Sequence, residues 1–303
     1  MTEHETKAKG TLADYIHLTR PFTLLAPTIG FLSGAAIAAR GMPPAAAYIG
    51  AASAAILNAA SNIINQYFDL EIDRINKPKR PLPSGRISIR AAWIFTILLY
   101  IASFVTAAMV NVQFLLIVLF TAVVTYAYSG PPFRTKRWGI LANLTIALPR
   151  GCLLMVAGWT SVRPDTMWTA EPWFIGMIFG LYVAGAATTK DFSDMKGDAE
   201  GGCRTLPIVY GVRNSAKIIA PFFVFPFLLM LVGASSGVLE GSKMILTLSG
   251  IALSVWGVYI AYLILRRPEE LTLEANHVSW KHMYLMLVAG QVAFALAYIV
   301  GPS

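Results

Sequence analysis

The chain has 303 residues, 56% of them hydrophobic and only 13% charged, with a mean hydropathy of +0.61; this composition is that of an integral membrane protein and excludes an ordinary soluble domain. The net charge of +8 does not signal nucleic acid, because the basic residues sit in short loops between apolar runs and never gather into one long run or a basic helix. A membrane surface and an anionic substrate account for them instead.

Met1 to Leu12 is polar and mixed in charge, and the first apolar run begins near Pro21, so no cleaved signal peptide is expected. A bilayer crossing takes roughly 20 apolar residues. The runs predict spans at about 22–39, 44–67, 91–110, 113–129, 139–159, 172–189, 216–236, 244–265 and 282–300. The expected fold is all-α, a polytopic membrane bundle of nine transmembrane helices forming one domain over residues 1–303, with cytoplasmic cap loops after the second and sixth helices. Each of those loops is long enough for a short helix of its own.

Of the 24 Lys and Arg residues, 20 fall before the first span or in the loops after even spans, counting Lys217 at a span's edge. The opposite loops hold only Arg40, Arg163 and Lys243, and Arg150 alone lies within a span. This asymmetry predicts a multi-pass protein of the cell membrane with its N-terminus and even loops in the cytoplasm. Trp159, Trp168 and Trp173 flank an external loop, as amphipathic rings do at an interface. Cys152 lies in an apolar segment and Cys203 in a polar loop, which indicates neither a disulfide framework nor a metal knuckle.

The second span ends in a polar stripe. Asn58, Asn62, Asn65, Asp69 and Asp73 have offsets of 4, 7, 11 and 15, which project to nearly one direction on a helix. Amides on such a face commonly hold helices together, a role that suits the asparagines better than the aspartates. Carboxylates at a membrane boundary face water, pair or bind a cation. A second acidic face, Asp191, Asp194 and Asp198, ends the sixth span, and each face is followed by Arg-x-Leu-Pro, at Arg80–Pro83 and Arg204–Pro207, which hints at a duplication. A solvated helix end is the plain alternative for the second face. Two carboxylate clusters on one side fit a diphosphate bridged by Mg²⁺, a hard cation held by few carboxylates plus phosphates and waters.

Arg20, Arg74, Lys77, Arg80 and the loop Tyr126 to Arg137, with Arg134 and Lys136, supply phosphate-binding groups on the same side, although positive-inside bias alone predicts many of them. Arg150 shares a face with Asn143 two turns earlier and is expected to pair with an acidic or amide group in the bundle; whether that pairing is structural or lines a cavity stays open.

These residues resemble the UbiA superfamily of intramembrane prenyltransferases. The resemblance runs through Asn65-x-x-x-Asp69-x-x-x-Asp73, the Asn-Lys-Pro-x-Arg-Pro-Leu-Pro-Ser-Gly run from Asn76 to Gly85, Tyr128 to Lys136, and Asp191-x-x-Asp194-x-x-x-Asp198. It implies Mg²⁺-dependent transfer of a prenyl chain from a polyprenyl diphosphate, such as geranylgeranyl diphosphate, to a hydrophobic acceptor in membrane lipid. Asn65, Asp69, Asp73, Asp191, Asp194 and Asp198 become metal or metal-water ligands, with Asp69, Asp73, Asp191 and Asp198 the catalytic core. Arg20, Arg74, Lys77, Tyr128, Arg134 and Lys136 become the diphosphate set. Tyr67, Phe68 and Tyr128 are candidates to stabilise an allylic cation. Two other readings remain beside it: a cation-coupled transporter, and a phosphatase with water as acceptor. The second motif resembles both the chlorophyll-synthase and the archaeal ether-lipid branches, and neither acceptor, chain length nor oligomeric state is set by the sequence.

Overall fold

Helices dominate because a backbone in lipid must satisfy its own hydrogen bonds, and the computed structural model, which describes residues 10–273 and 277–301, has no named strand among them. Nine of its helical segments are long and apolar enough to cross a membrane: Phe22–Ala39, Ala45–Phe68, Ile89–Ala108, Val112–Ser129, Gly139–Thr160, Ala170–Ala187, Val212–Ser236, Lys243–Arg266 and Val278–Ile299. They are called the first to ninth spans below. The boundaries fall within a few residues of the expected ones. The N-terminal stretch up to Lys9 lies outside the described residues, so the expectation about a signal peptide is not addressed there.

The first span packs on the fifth and ninth, and the second on the third. The first and fifth meet backbone to backbone: a Cβ at Gly158 would lie 2.1 Å from the Phe31 carbonyl oxygen, and one at Gly34 2.4 Å from that of Met155. Small residues permit this approach, which is how helices associate without a hydrophobic driving force. Outward-facing side chains on the third span, such as Leu98 and Ile101, are exposed, as apolar groups facing lipid should be. Trp159 departs from the interfacial expectation. It is buried, its indole donating to Thr166 Oγ1 at 3.0 Å, while Trp168 is exposed and stacks on Trp173.

Two spans are irregular. The fifth passes through a π-helical turn at Leu148–Cys152 containing Pro149, and the seventh narrows to a 3₁₀ turn at Ala220–Phe223 that contains Pro221 and is followed by Pro226. Proline removes an amide donor from the ladder, and both deviations sit where one does so. The loop after the second span carries the helix Leu70–Asn76, and the loop after the sixth carries Thr189–Glu200 and Leu206–Tyr210. The first and second of these helices pack against each other.

Candidate active site

The polar stripe of the second span divides in two. Asn58 donates to the Thr23 carbonyl at 3.0 Å, Asn62 to the Thr19 carbonyl and Thr23 Oγ1 at 2.9 Å each, and Gln66 to the Leu18 carbonyl at 2.8 Å. These amides tie the second span to the first and to the short helix Leu12–Thr19. Further along, Asn65 donates to Asp69 Oδ2 at 2.9 Å and Ser129 Oγ at 3.2 Å. The span stops at Phe68, and Asp69, at φ −100° and ψ 13°, turns the chain into Leu70–Asn76.

The helices Leu70–Asn76 and Thr189–Glu200 are joined by one side chain. Asn76 Nδ2 donates to the Asp194 carbonyl at 2.9 Å, and the Gly197 amide donates to Asn76 Oδ1 at 3.0 Å. A Cβ at Gly197 would fall 2.6 Å from Asn76 Nδ2. This staple brings the acidic faces together: Asn65, Asp69, Asp73, Asp191, Asp194 and Asp198 all line one cavity of about 310 Å³. Arg20, Tyr128, Lys136, Arg80, Lys190, Arg150 and Cys203 line it as well. A smaller apolar pocket of about 60 Å³, lined by residues such as Ala54, Leu57, Phe114 and Leu153, shares Pro27, Ser61, Thr125, Pro149 and Arg150 with it.

Cations interleave the carboxylates. Lys136 pairs closely with Asp69, which also has Arg134 Nη2 at 3.6 Å; Arg80 pairs with Asp73 at 2.6 Å and Lys77 with Asp194 at 2.7 Å. Arg134 further donates to the Phe68 carbonyl at 3.1 Å. Arg134 and Lys77 therefore reach the carboxylates from outside the cavity lining. Arg74 does not: one residue past Asp73, it turns away and pairs with exposed Glu71 at 2.7 Å. Arg20 and Arg134 are two of the three described non-glycine residues with positive φ, at 58° and 41°, a backbone cost that clusters at functional sites.

Enclosure shapes the titration. Burial, then the neighbouring Asp194 charge, pushes Asp198 up to about 6. Burial raises Asp73 against the pull of Arg80, and raises Asp191 well above the usual carboxylate range with Asp198 adding to the effect. The cations move the other way. Burial lowers Lys136, pushes Arg20 down to about 10 with Arg80 and Arg150 contributing, and pushes Lys190 down to about 7 with Arg20 and Arg150 contributing. Both directions follow from disfavouring the charged form in a low-dielectric site.

Among the described residues no three carboxylates, histidines or cysteines stand close enough to hold an ion alone. Six oxygen-bearing side chains, from the end of the second span, the helix Leu70–Asn76 and the helix Thr189–Glu200, fit Mg²⁺, which takes one or two carboxylates and completes its shell from phosphate and water. Both cysteines are free. Two sequence expectations change. Tyr67 and Phe68 do not face the cavity; they pack on Trp93 and Tyr126, because Tyr67 lies about 200° round from both Asn65 and Asp69, and Phe68 about 100° round from Asp69. The aromatic wall is instead Phe22, Trp280 and Tyr284, from the first and ninth spans, with the Phe22 and Tyr284 ring centroids 4.8 Å apart. No acidic motif pointed to them, since their meeting depends on tertiary packing.

Residues 24–287 match the model of the UbiA prenyltransferase family. The chain belongs to the UbiA prenyltransferase family. It is a multi-pass integral membrane protein of the prenyltransferase class, and the transporter reading falls away. Among its relatives, digeranylgeranylglyceryl phosphate synthase of Thermococcus kodakarensis is 30% identical over 290 residues, covering 94% of this chain and 98% of the relative. The bacteriochlorophyll synthase 34 kDa chain of Chloroflexus aurantiacus is 33% identical over 208 residues, covering 67% and 66%. The fold matches a UbiA homolog from Archaeoglobus fulgidus bound to GPP and Mg²⁺ with a TM-score of 0.72 at 23% identity, covering 95% of this chain and 99% of that one.

Proposed function

We propose that this UbiA-family chain, as a single catalytic domain, transfers the prenyl group of a polyprenyl diphosphate such as geranylgeranyl diphosphate to a hydrophobic acceptor. The observation that carries the reading is the convergence of both acidic faces and several cations on one cavity that shares part of its wall with an apolar pocket. Asn65, Asp69, Asp73, Asp191, Asp194 and Asp198 would hold Mg²⁺, which supplies charge neutralisation for the diphosphate when bound.

The ion pairs support an exchange of partners. Asp69, Asp73 and Asp194 each hold a cation, so a carboxylate that turned to a bound Mg²⁺ would release Lys136, Arg80 or Lys77 to the diphosphate. Arg20, Tyr128 and Lys136 line the cavity on that path; Arg134 reinforces it from behind, and Arg74 has no part in it. The bond between allylic carbon and diphosphate oxygen then breaks with its electron pair leaving on the diphosphate. The freed cations stabilise that charge as it develops. The acceptor's nucleophilic atom bonds to the allylic carbon, and the proton it loses passes to the departing diphosphate. Tyr128, Phe22, Trp280 and Tyr284 offer ring faces to the allylic cation and help exclude water, which would otherwise capture it. The prenyl tail runs into the apolar pocket and onward toward membrane lipid.

The basic loops favour a cytoplasmic site in the cell membrane. The test is incubation of the purified protein in lipid with radiolabelled geranylgeranyl diphosphate, Mg²⁺ and a panel of acceptors, beside Asp69→Ala and Asp198→Ala. Prenylated acceptor that vanishes with EDTA and in both variants is the expected result. Release of free prenyl alcohol alone would make the protein a phosphatase.

A further inference from the structure

Arg150 is a cation without a counter-charge inside a membrane span. It lines both the large cavity and the apolar pocket, its Nη2 donates to Asn62 Oδ1 at 3.1 Å, and among the described residues it makes no ion pair. Asn143, expected on the same face, instead donates to the Ala184 carbonyl and Thr188 Oγ1 at the end of the sixth span, since the π-helical turn shifts the two residues out of register. The same turn fixes Arg150 in place. The adjacent Gly151 faces the sixth span so closely that a Cβ there would lie 2.6 Å from Gly180 Cα, which leaves Arg150 directed at the cavity.

A lone charge in a span is costly and marks a functional site with a partner to be found. Among the described residues no carboxylate pairs with it: Asp69, Asp73 and Asp194 hold Lys136, Arg80 and Lys77, and Asp191 and Asp198, which line the same cavity without an ion pair, make none to Arg150 either. Nor do the nearby Arg20 and Lys190 balance it, for they are cations whose side chains have no hydrogen bond or ion pair among the described residues. Arg150 stands on the wall that the polar cavity shares with the apolar pocket. On the prenyl-transfer reading, on which this inference rests, that is beside the allylic carbon. An unbalanced guanidinium there would oppose the positive charge growing on that carbon. An anion on the acceptor removes the opposition. Gln291 adds a second unmet demand: it is 2% exposed, lines the same cavity, and its Oε1 has no donor, so it is placed to accept a hydrogen bond from an acceptor hydroxyl.

We propose that Arg150 determines acceptor specificity by seating an anionic oxyacid group, phosphate or carboxylate, carried by the acceptor itself. A neutral quinol-type acceptor would leave the guanidinium bare.

The test compares matched acceptors in the presence of geranylgeranyl diphosphate and Mg²⁺: a prenylglyceryl phosphate against the phosphate-free prenylglycerol, and 4-hydroxybenzoate against its methyl ester. The phosphate pair and the carboxylate pair separate the two sources of the anion. Wild type should favour one anionic member by about tenfold or more in kcat/KM. Arg150→Gln should raise the KM of that acceptor about tenfold or more while the KM of the diphosphate changes less than about twofold, with Arg150→Lys recovering part of the loss. Equal use of the neutral members by wild type, or a rise in the diphosphate KM instead, overturns the proposal. Thermal stability gives a readout without turnover. The anionic acceptor alone should raise the Tm of wild type and not of Arg150→Gln, while diphosphate with Mg²⁺ should still raise both. If Arg150→Gln responds to neither it has not folded, and the same comparison in Arg150→Lys decides. If no acceptor is prenylated while the anionic acceptor still raises Tm through Arg150, the transfer reading fails and the anion seat stands.

Discussion

Asp198, which lines the cavity, and Asn62, which is buried between spans, show how differently two polar residues behave. Asp198 is held at about 6 by burial and Asp194, against an ordinary 3.8, so between those values the folded protein keeps a proton that the unfolded chain has lost. Its contribution to stability is present at low pH and disappears as pH rises through about 6. Above that, an enclosed carboxylate is left charged, a cost that a cation relieves. The Tm increment from Mg²⁺ should therefore be small at pH 5 and grow through pH 6 to 7.5; an increment independent of pH would show that Asp198 does not meet the metal. Asp198→Asn should lower kcat by about 10²-fold or more, the scale for losing one group that stabilises transition-state charge. Asn62 sits on the structural half of the stripe. Asn62→Ala should cost stability of about 1–2 kcal/mol through its lost interhelical bonds, read as a lower Tm, with kcat affected less than in Asp198→Asn.

At the scale of elements, the two acidic helices are positioned by Asn76 and Gly197 rather than by their carboxylates. Asn76→Ala removes both bonds of the staple, and Gly197→Ala drives a methyl into the Asn76 amide. Each should lower Tm, by about 1–3 kcal/mol of stability, and reduce kcat about tenfold or more by misplacing metal ligands. A double variant should lose little more than either single one, because both act on one contact; full additivity would refute the staple. The carboxylates were legible in the sequence because spacings of three and four residues put them on one face. The nine spans were legible because lipid demands long apolar helices. Asn76 was visible only as part of a run, and its function depends on a glycine 121 residues away in sequence, which no local pattern encodes. The aromatic wall of Phe22, Trp280 and Tyr284 was illegible for the same reason, and the role of Arg150 waited on a π-helical turn that periodicity cannot show.

On the scale of the whole molecule, the charges decide which way the bundle faces. Lys and Arg concentrate at the end that carries both acidic helices, and the opposite loops hold Arg40, Arg163 and Lys243; since cationic loops are retained on the cytoplasmic side, the cavity should open to the cytoplasm. Cysteine labelling checks this directly. With Cys152 and Cys203 replaced by serine, Lys79→Cys lies in an exposed position of the loop after the second span, and Arg163→Cys in an exposed position after the fifth. A membrane-impermeant maleimide added to sealed cells should label position 163 and leave position 79 unmodified until the membrane is opened. The reverse pattern would put the diphosphate site outside, where the positive-inside argument could not hold. Labelling of both positions in sealed cells would indicate dual insertion, which the 20-to-3 charge bias argues against at every loop.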